Sequence, residues 1–104
     1  MSWVYLILAG LFEVAFTTSL KLSENFSNWI WSIVFFISIS SSFYLLNKSL
    51  ITIPIGTAYA IWTGIGAIGT VIIGIILFKE STDFWRIFFL ITLIISIIGL
   101  KIVS

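Results

Sequence analysis

The sequence contains no cysteine and no histidine, a single proline, and few charges: five Lys and Arg against four Asp and Glu in 104 residues. Without cysteine there are no disulfides and no thiolate metal centres. Without histidine the chain lacks the side chain that most often titrates near neutrality, and the commonest metal ligand, so any proton chemistry falls to a carboxylate. A net charge of +1 provides no basic field for nucleic acid. These absences predict neither an enzyme, a metal site nor a bound cofactor.

What is present is apolar. Hydrophobic residues make up 61% of the chain and the mean hydropathy is +1.26. So few charged groups cannot coat a domain in water, and only a bilayer makes such a composition soluble. Apolar runs at about 3–20, 29–47, 55–78 and 84–102 each approach the roughly 20 residues that cross hydrocarbon. The breaks KLSENFSN, KSLITIP and KESTD are short and polar. The first run has no Lys or Arg before it and no clean small-residue cleavage site after it, so it reads as a retained span rather than a secretory signal. Strict alternation is missing and a spanning segment must satisfy its own backbone, so the runs read as helices despite their Ile, Val and Phe content. The expectation is an all-α, multi-pass membrane protein. It has one transmembrane domain over 1–104, its four antiparallel neighbours forming a bundle.

With four spans, Lys48 and Lys101 fall on one side of the membrane and Lys21, Lys79 and Arg86 on the other. The positive-inside rule needs a clear bias to select an orientation, and two against three barely supplies one. A chain without a preference inserts both ways, and opposite copies are then able to pair as an antiparallel dimer.

Residues 64–69 read GIGAIG, a literal G-x-G-x-x-G. A dinucleotide site needs a preceding strand, an amphipathic helix and an acidic residue about 20 positions on; an uninterrupted apolar run supplies none. Helical spacing explains the glycines better. Gly56, Ala60 and Gly64 recur every fourth residue, as do Gly66, Thr70 and Gly74. Such stripes let another helix approach closely or let the helix bend, although glycine is also generally frequent in membrane helices.

Glu13, within LAGLFEVAFTTSL, is the only acidic residue away from a loop and the only charge near the middle of a span. Intramembrane acids are costly and are by default functional, and no intramembrane Lys or Arg is available to pair with it. Its helical face includes Ala9, Gly10, Phe16 and Thr17, which predicts space on one side and a ring and a hydroxyl on the other. Burial penalises the ionised form. A buried carboxylate binds a proton or a cation but not both, which is the requirement for proton-coupled exchange; the plainer reading is a structural Glu bonded to a neighbouring helix. In AYAIWTG, Tyr59, Trp62, Thr63 and the following Gly66 lie within one or two turns of each other. Aromatic faces hold desolvated cations. Trp3, Trp29, Trp31 and Trp85 suit an interfacial belt, whereas Trp62 lies too deep in its helix for one. On the second helix Ser38, Ser40, Ser41 and Ser42 offer hydroxyls, and periodicity alone does not say which faces inward.

Glu13 in the first helix, Lys21 closing it, Ser42-Phe43-Tyr44 in the second and IPIGTAYAIWTGIGAIGT in the third together resemble the small multidrug resistance family of bacterial proton-coupled cation exporters. The resemblance covers essentially the whole chain. It implies an antiparallel homodimer of dual topology in the inner membrane, and alternating access to a central site shared by both copies of Glu13, Tyr59 and Trp62. It also implies a third-helix kink at Gly64 and Gly66, and a Ser42 hydroxyl bonded into the carboxylate network. GTAYA, WTGIGA and the GLK at 99–101 resemble the guanidinium-exporting branch. Phe16 stands where that branch usually carries Trp, while Thr17, Thr18 and Lys21 look more like the drug-exporting branch. The second-helix Tyr of drug exporters is replaced by Ile39. The resemblance therefore implies export of guanidinium and small substituted guanidinium cations. Its alternatives are a broader exporter of quaternary ammonium and lipophilic cations, and one subunit of a paired heterodimer, which KESTDFWRIFF and GLKIVS also resemble. A helix-gluing assembly subunit and a channel remain rival classes; a channel would need polar groups along a continuous pore, but here they cluster at one depth.

Overall fold

The computed structural model describes residues 1–103. Four helices follow one another: α1 (Ser2–Leu22), α2 (Trp29–Ser49), α3 (Ile55–Leu77) and α4 (Phe84–Ile102). Each is long and apolar enough to span a membrane. Their limits fall within two residues of the expected runs, because the polar breaks carry the caps. The Asn28 side chain accepts hydrogen bonds from the Ile30 and Trp31 amides, and the Asp83 side chain accepts one from Arg86, satisfying donors that a helix start leaves free. Lys21, Lys48 and Lys101 sit in the last turns of α1, α2 and α4, where a cation opposes the negative end of the helix dipole.

The turns are tight. Glu24, Asn25 and Phe26 are all left-handed, with φ of 48°, 61° and 65°, a conformation that costs a non-glycine residue about 1–2 kcal/mol. The Ser23 hydroxyl holds this turn by accepting from the Phe26 amide, and the Asn28 amide closes it on the Ser23 carbonyl. At the end of α3, the Glu80 amide reaches back 3.1 Å to the Gly74 carbonyl around a left-handed Lys79, which terminates the helix.

The helices do not close into the expected bundle. α1 packs on both α2 and α3, α4 packs on α3 alone, and α2 barely meets α3. The result is a bent layer in the order α2–α1–α3–α4, with extents of 41 × 35 × 17 Å. In lipid no hydrophobic force gathers apolar helices around a core, and the buried apolar set here is small: Leu6, Ala9, Ile53, Ala58, Ile61 and Trp62. Lys101 lies 4.9 Å from the Trp3 ring, and Thr52 donates to the Ser2 hydroxyl. The start of α1, the α2–α3 turn and the end of α4 thus share one end of the layer, as an even number of spans requires.

Candidate intramembrane carboxylate site

The site is built on the seam between α1 and α3, where glycines remove the side chains that would hold the helices apart. Ile65 of α3 packs on Gly10, Val14 of α1 packs on Gly69, and the Glu13 carboxylate lies directly on Gly66. A Cβ at any of these glycines would collide with the side chain opposite. The GIGAIG segment is therefore a helix-packing surface, as its spacing predicts. Only part of the two expected stripes serves one seam: Gly66 and Thr70 face α1, Gly64 receives Ile97 of α4, Gly74 is covered by Glu80, and Gly56 meets nothing. α3 runs through Gly64 and Gly66 as unbroken helix.

Glu13 is half-buried, and its Oε2 is wholly buried with no hydrogen-bond partner among the described residues. A buried polar atom normally finds a partner, so this oxygen marks the place where the chain leaves an acceptor uncommitted. The space expected beside Gly10 is filled by Ile65.

The other expected residues divide into two groups. Ser42 is the inward-facing serine that periodicity left undetermined, wholly buried, although Ser38 is buried too. It donates to the Ala9 carbonyl at 2.7 Å and accepts from Trp62 Nε1 at 2.9 Å. One hydroxyl thereby ties α1, α2 and α3 together, and in this chain it bonds to those two groups rather than to the Glu13 carboxylate. Trp62 is 7% exposed, so it belongs to the interior and not to an interfacial belt. Its ring lies 5.4 Å from Phe43 and 5.8 Å from Tyr59. Phe16 is half-buried beside the Glu13 turn and meets Phe35 edge-on at 6.1 Å, the first contact of a cluster that continues to Phe26 and Phe36.

Tyr59 and Thr63, by contrast, lie on an exposed face of α3 with Gly56, Ala60 and Ala67. Thr17 is occupied: its hydroxyl lies 3.0 Å from the carbonyls of Glu13 and Val14, and 2.8 Å from the Thr70 hydroxyl on α3. Thr70 was legible only as a small residue in a stripe. Its place at i+4 from Gly66 was the available signal, since that offset repeats the seam one turn further along. No cluster of residues among those described is able to hold a metal ion.

Four helices long enough to span a membrane, with a carboxylate held between two of them and its Oε2 unpartnered among the described residues, define an integral membrane protein that keeps an acid within its spans. Comparison with known proteins agrees on the class. The family model described as Small Multidrug Resistance protein matches residues 1–94. A guanidinium exporter of Yersinia pseudotuberculosis is 45% identical over 104 residues, covering all of both chains. One of Proteus vulgaris is 43% identical over 104 residues, also covering both chains fully. One of Salmonella typhimurium is 46% identical over 101 residues, 97% of this chain and 96% of its own. The chain belongs to the small multidrug resistance family, and is a multi-pass protein of the bacterial inner membrane.

Proposed function

We propose that this protein exports guanidinium and small substituted guanidinium cations in exchange for protons, working as an antiparallel dimer of two copies. The observation that carries the proposal is the buried, unpartnered Glu13 Oε2 on Gly66. A carboxylate there accepts either a proton or a cation, and the exclusivity couples the two fluxes. Guanidinium is planar and presents paired N–H donors, so a carboxylate is able to hold it through two parallel bonds. The identity of 43–46% to proteins named guanidinium exporters supports that substrate class. This makes the chain a transporter rather than an enzyme.

Pairing of two copies rests on what one chain leaves open. Tyr59 is 59% exposed, Thr63 is exposed beside it, and neither hydroxyl is bonded within the described chain. Polar groups facing lipid are costly, and a second layer laid against this face would enclose them together with both Glu13 side chains. The near-balance of Lys and Arg between the two ends supports opposite insertion of the two copies.

The test is guanidinium uptake into proteoliposomes with an imposed proton gradient. Wild-type protein is expected to move guanidinium one way and protons the other, with cation binding weakening as pH falls because protons compete for the same carboxylate. Glu13→Gln is expected to abolish exchange, by at least about a hundredfold on the order of other essential-group losses, while remaining a folded dimer. Proton-coupled uptake by the Gln variant would remove the mechanism. Currents for quaternary ammonium without any for guanidinium would replace the substrate class with the broader multidrug one.

A further inference from the structure

We propose that Thr70 is a positioning residue of the exchange site, its hydroxyl fixing, through Thr17, the register of α1 on α3 in which the Glu13 carboxylate lies on Gly66. This rests on the reading of Glu13 as the exchanging group and adds a residue to that machinery.

Ile65 on Gly10, Glu13 on Gly66 and Val14 on Gly69 all place a side chain over bare backbone, close contacts that carry no directional bond of their own. Among the described residues, the Thr17–Thr70 contact at 2.8 Å is the one hydrogen bond between α1 and α3. It falls one turn from Glu13 on α1 and one turn from Gly66 on α3. The single directional contact of the seam therefore sits immediately beside the carboxylate.

Proton counting assigns the donor. A threonine hydroxyl has one proton and two acceptor lone pairs. The Thr17 hydroxyl lies 3.0 Å from the carbonyls of both Glu13 and Val14, which accept only. Its proton is used within its own helix, so Thr70 donates and Thr17 accepts. The chain of bonds then runs from the Thr70 hydroxyl to the Thr17 oxygen, and from the Thr17 proton to the backbone carbonyl of Glu13 itself. Hydroxyl back-bonding of this kind bends a helix slightly, so Thr70 bears on the backbone of the residue that carries the carboxylate. An interhelical hydrogen bond in a membrane is modest, strong enough to bias a register and weak enough to break in a transport cycle.

The experiment measures guanidinium binding by calorimetry on purified dimer, together with exchange in proteoliposomes, for Thr70→Val, Thr70→Ser, Thr17→Val and the double Val variant. Valine keeps the shape and removes the donor; serine keeps the donor. Thr70→Val is expected to weaken guanidinium binding about threefold to fivefold, the size of one such bond, while the variant still purifies as folded dimer. Thr70→Ser is expected to restore binding, and the double variant to be no worse than Thr17→Val alone, since both remove the same bond. Should Thr70→Val fail to yield folded dimer, Thr70→Ala takes its place in the series. Wild-type binding by Thr70→Val, a serine variant as weak as valine, or effects that simply add would each overturn the assignment. Wild-type protein that neither binds nor carries guanidinium would instead overturn the transport reading, and the role of Thr70 with it.

Discussion

α3 and α4 have similar lengths and similar hydropathy, yet the chain treats them as opposites. Six residues of α3 are buried, three of them glycines, and the helix meets a neighbour on two sides. α4 has no buried residue and packs on α3, where Ile97 is seated in the notch at Gly64, and only its last turn reaches α1, with Lys101 over the Trp3 ring. Its large side chains, among them Phe89, Ile91, Ile95 and Ile98, face outward. Hydropathy therefore does not distinguish a helix that builds a site from one that presents a face to lipid or to another copy. Side-chain size does: α3 carries glycine where α1 must approach, and α4 carries bulk where nothing in its own chain approaches.

The sharpest way to break this contrast is within α3. A Cβ at Gly66 collides with the Glu13 carboxylate, whereas one at Gly56 finds nothing within 4 Å. Gly66→Ala is expected to cost about 1–3 kcal/mol in overpacking and to lower guanidinium exchange by tenfold or more. Gly56→Ala is expected to leave the fold of the chain within about 0.5 kcal/mol of wild type. Unfolding in detergent and uptake in proteoliposomes measure the two effects. If Gly66→Ala transports normally, the carboxylate does not need its seat on Gly66.

Between the two helices the comparison is Ile61 against Ile95, which are 2% and 62% exposed. Ile61→Ala leaves a cavity, expected to cost on the order of 1–2 kcal/mol. This is less than in water, because lipid removes most of the transfer contribution. Ile95→Ala creates no cavity in the chain and is expected to change its unfolding by less than about 0.5 kcal/mol. Equal losses for the two would mean that the outer face of α4 is packed as tightly as the core, in contact with a second copy.

Much of this was legible beforehand, for identifiable reasons. Span length and polar breaks specify the helices, because a bilayer admits few alternatives. Glu13 was legible as the lone mid-span charge, and Trp62 as an aromatic too deep for an interface. The neighbours were not. Helical spacing says which residues share a face but not which helix covers it, so the layered order α2–α1–α3–α4 replaced a closed bundle. Ser42 was one of several serines until Ala9 and Trp62 claimed its hydroxyl. Thr70 looked like spacing between glycines. Its partner lies 53 residues away on another helix, and a single sequence contains no signal for that pairing.

A smaller effect concerns orientation. The end of the layer with Lys48 and Lys101 has no acidic side chain, while Lys21, Lys79 and Arg86 share their end with Glu24, Glu80 and Asp83, and Arg86 is paired with Glu80. Insertion follows the basic residues and takes little account of acids, so two against three predicts both orientations. A C-terminal reporter is expected on both sides of the membrane, and two added C-terminal lysines are expected to favour one. A wild-type reporter confined to one side would mean either that the antiparallel homodimer is wrong or that a second gene supplies the oppositely inserted chain.

A further prediction concerns selectivity and turns on Phe16, which connects the Glu13 turn to the aromatic cluster around Phe35. Its ring meets Phe35 edge-on, at an interplanar angle of 88°. An indole at this position is larger than the phenyl ring and has two ways to fit. It either displaces Phe35, and with it the contacts to Phe26 and Phe36, or turns towards the carboxylate. Phe35 is held by three neighbouring rings, Phe16, Phe26 and Phe36, so displacement is the costlier of the two. The indole is expected to crowd the approach to Glu13, and crowding penalises a bulky cation more than a planar one. Phe16→Trp is therefore expected to lower transport of small quaternary ammonium ions relative to guanidinium by about tenfold, the scale on which one added group discriminates in an apolar pocket. Currents on supported membranes for both ions at several pH values measure the ratio. An unchanged ratio would mean that the ring of Phe16 lies outside the path of the substrate and that its role ends with the packing of α1 on α2.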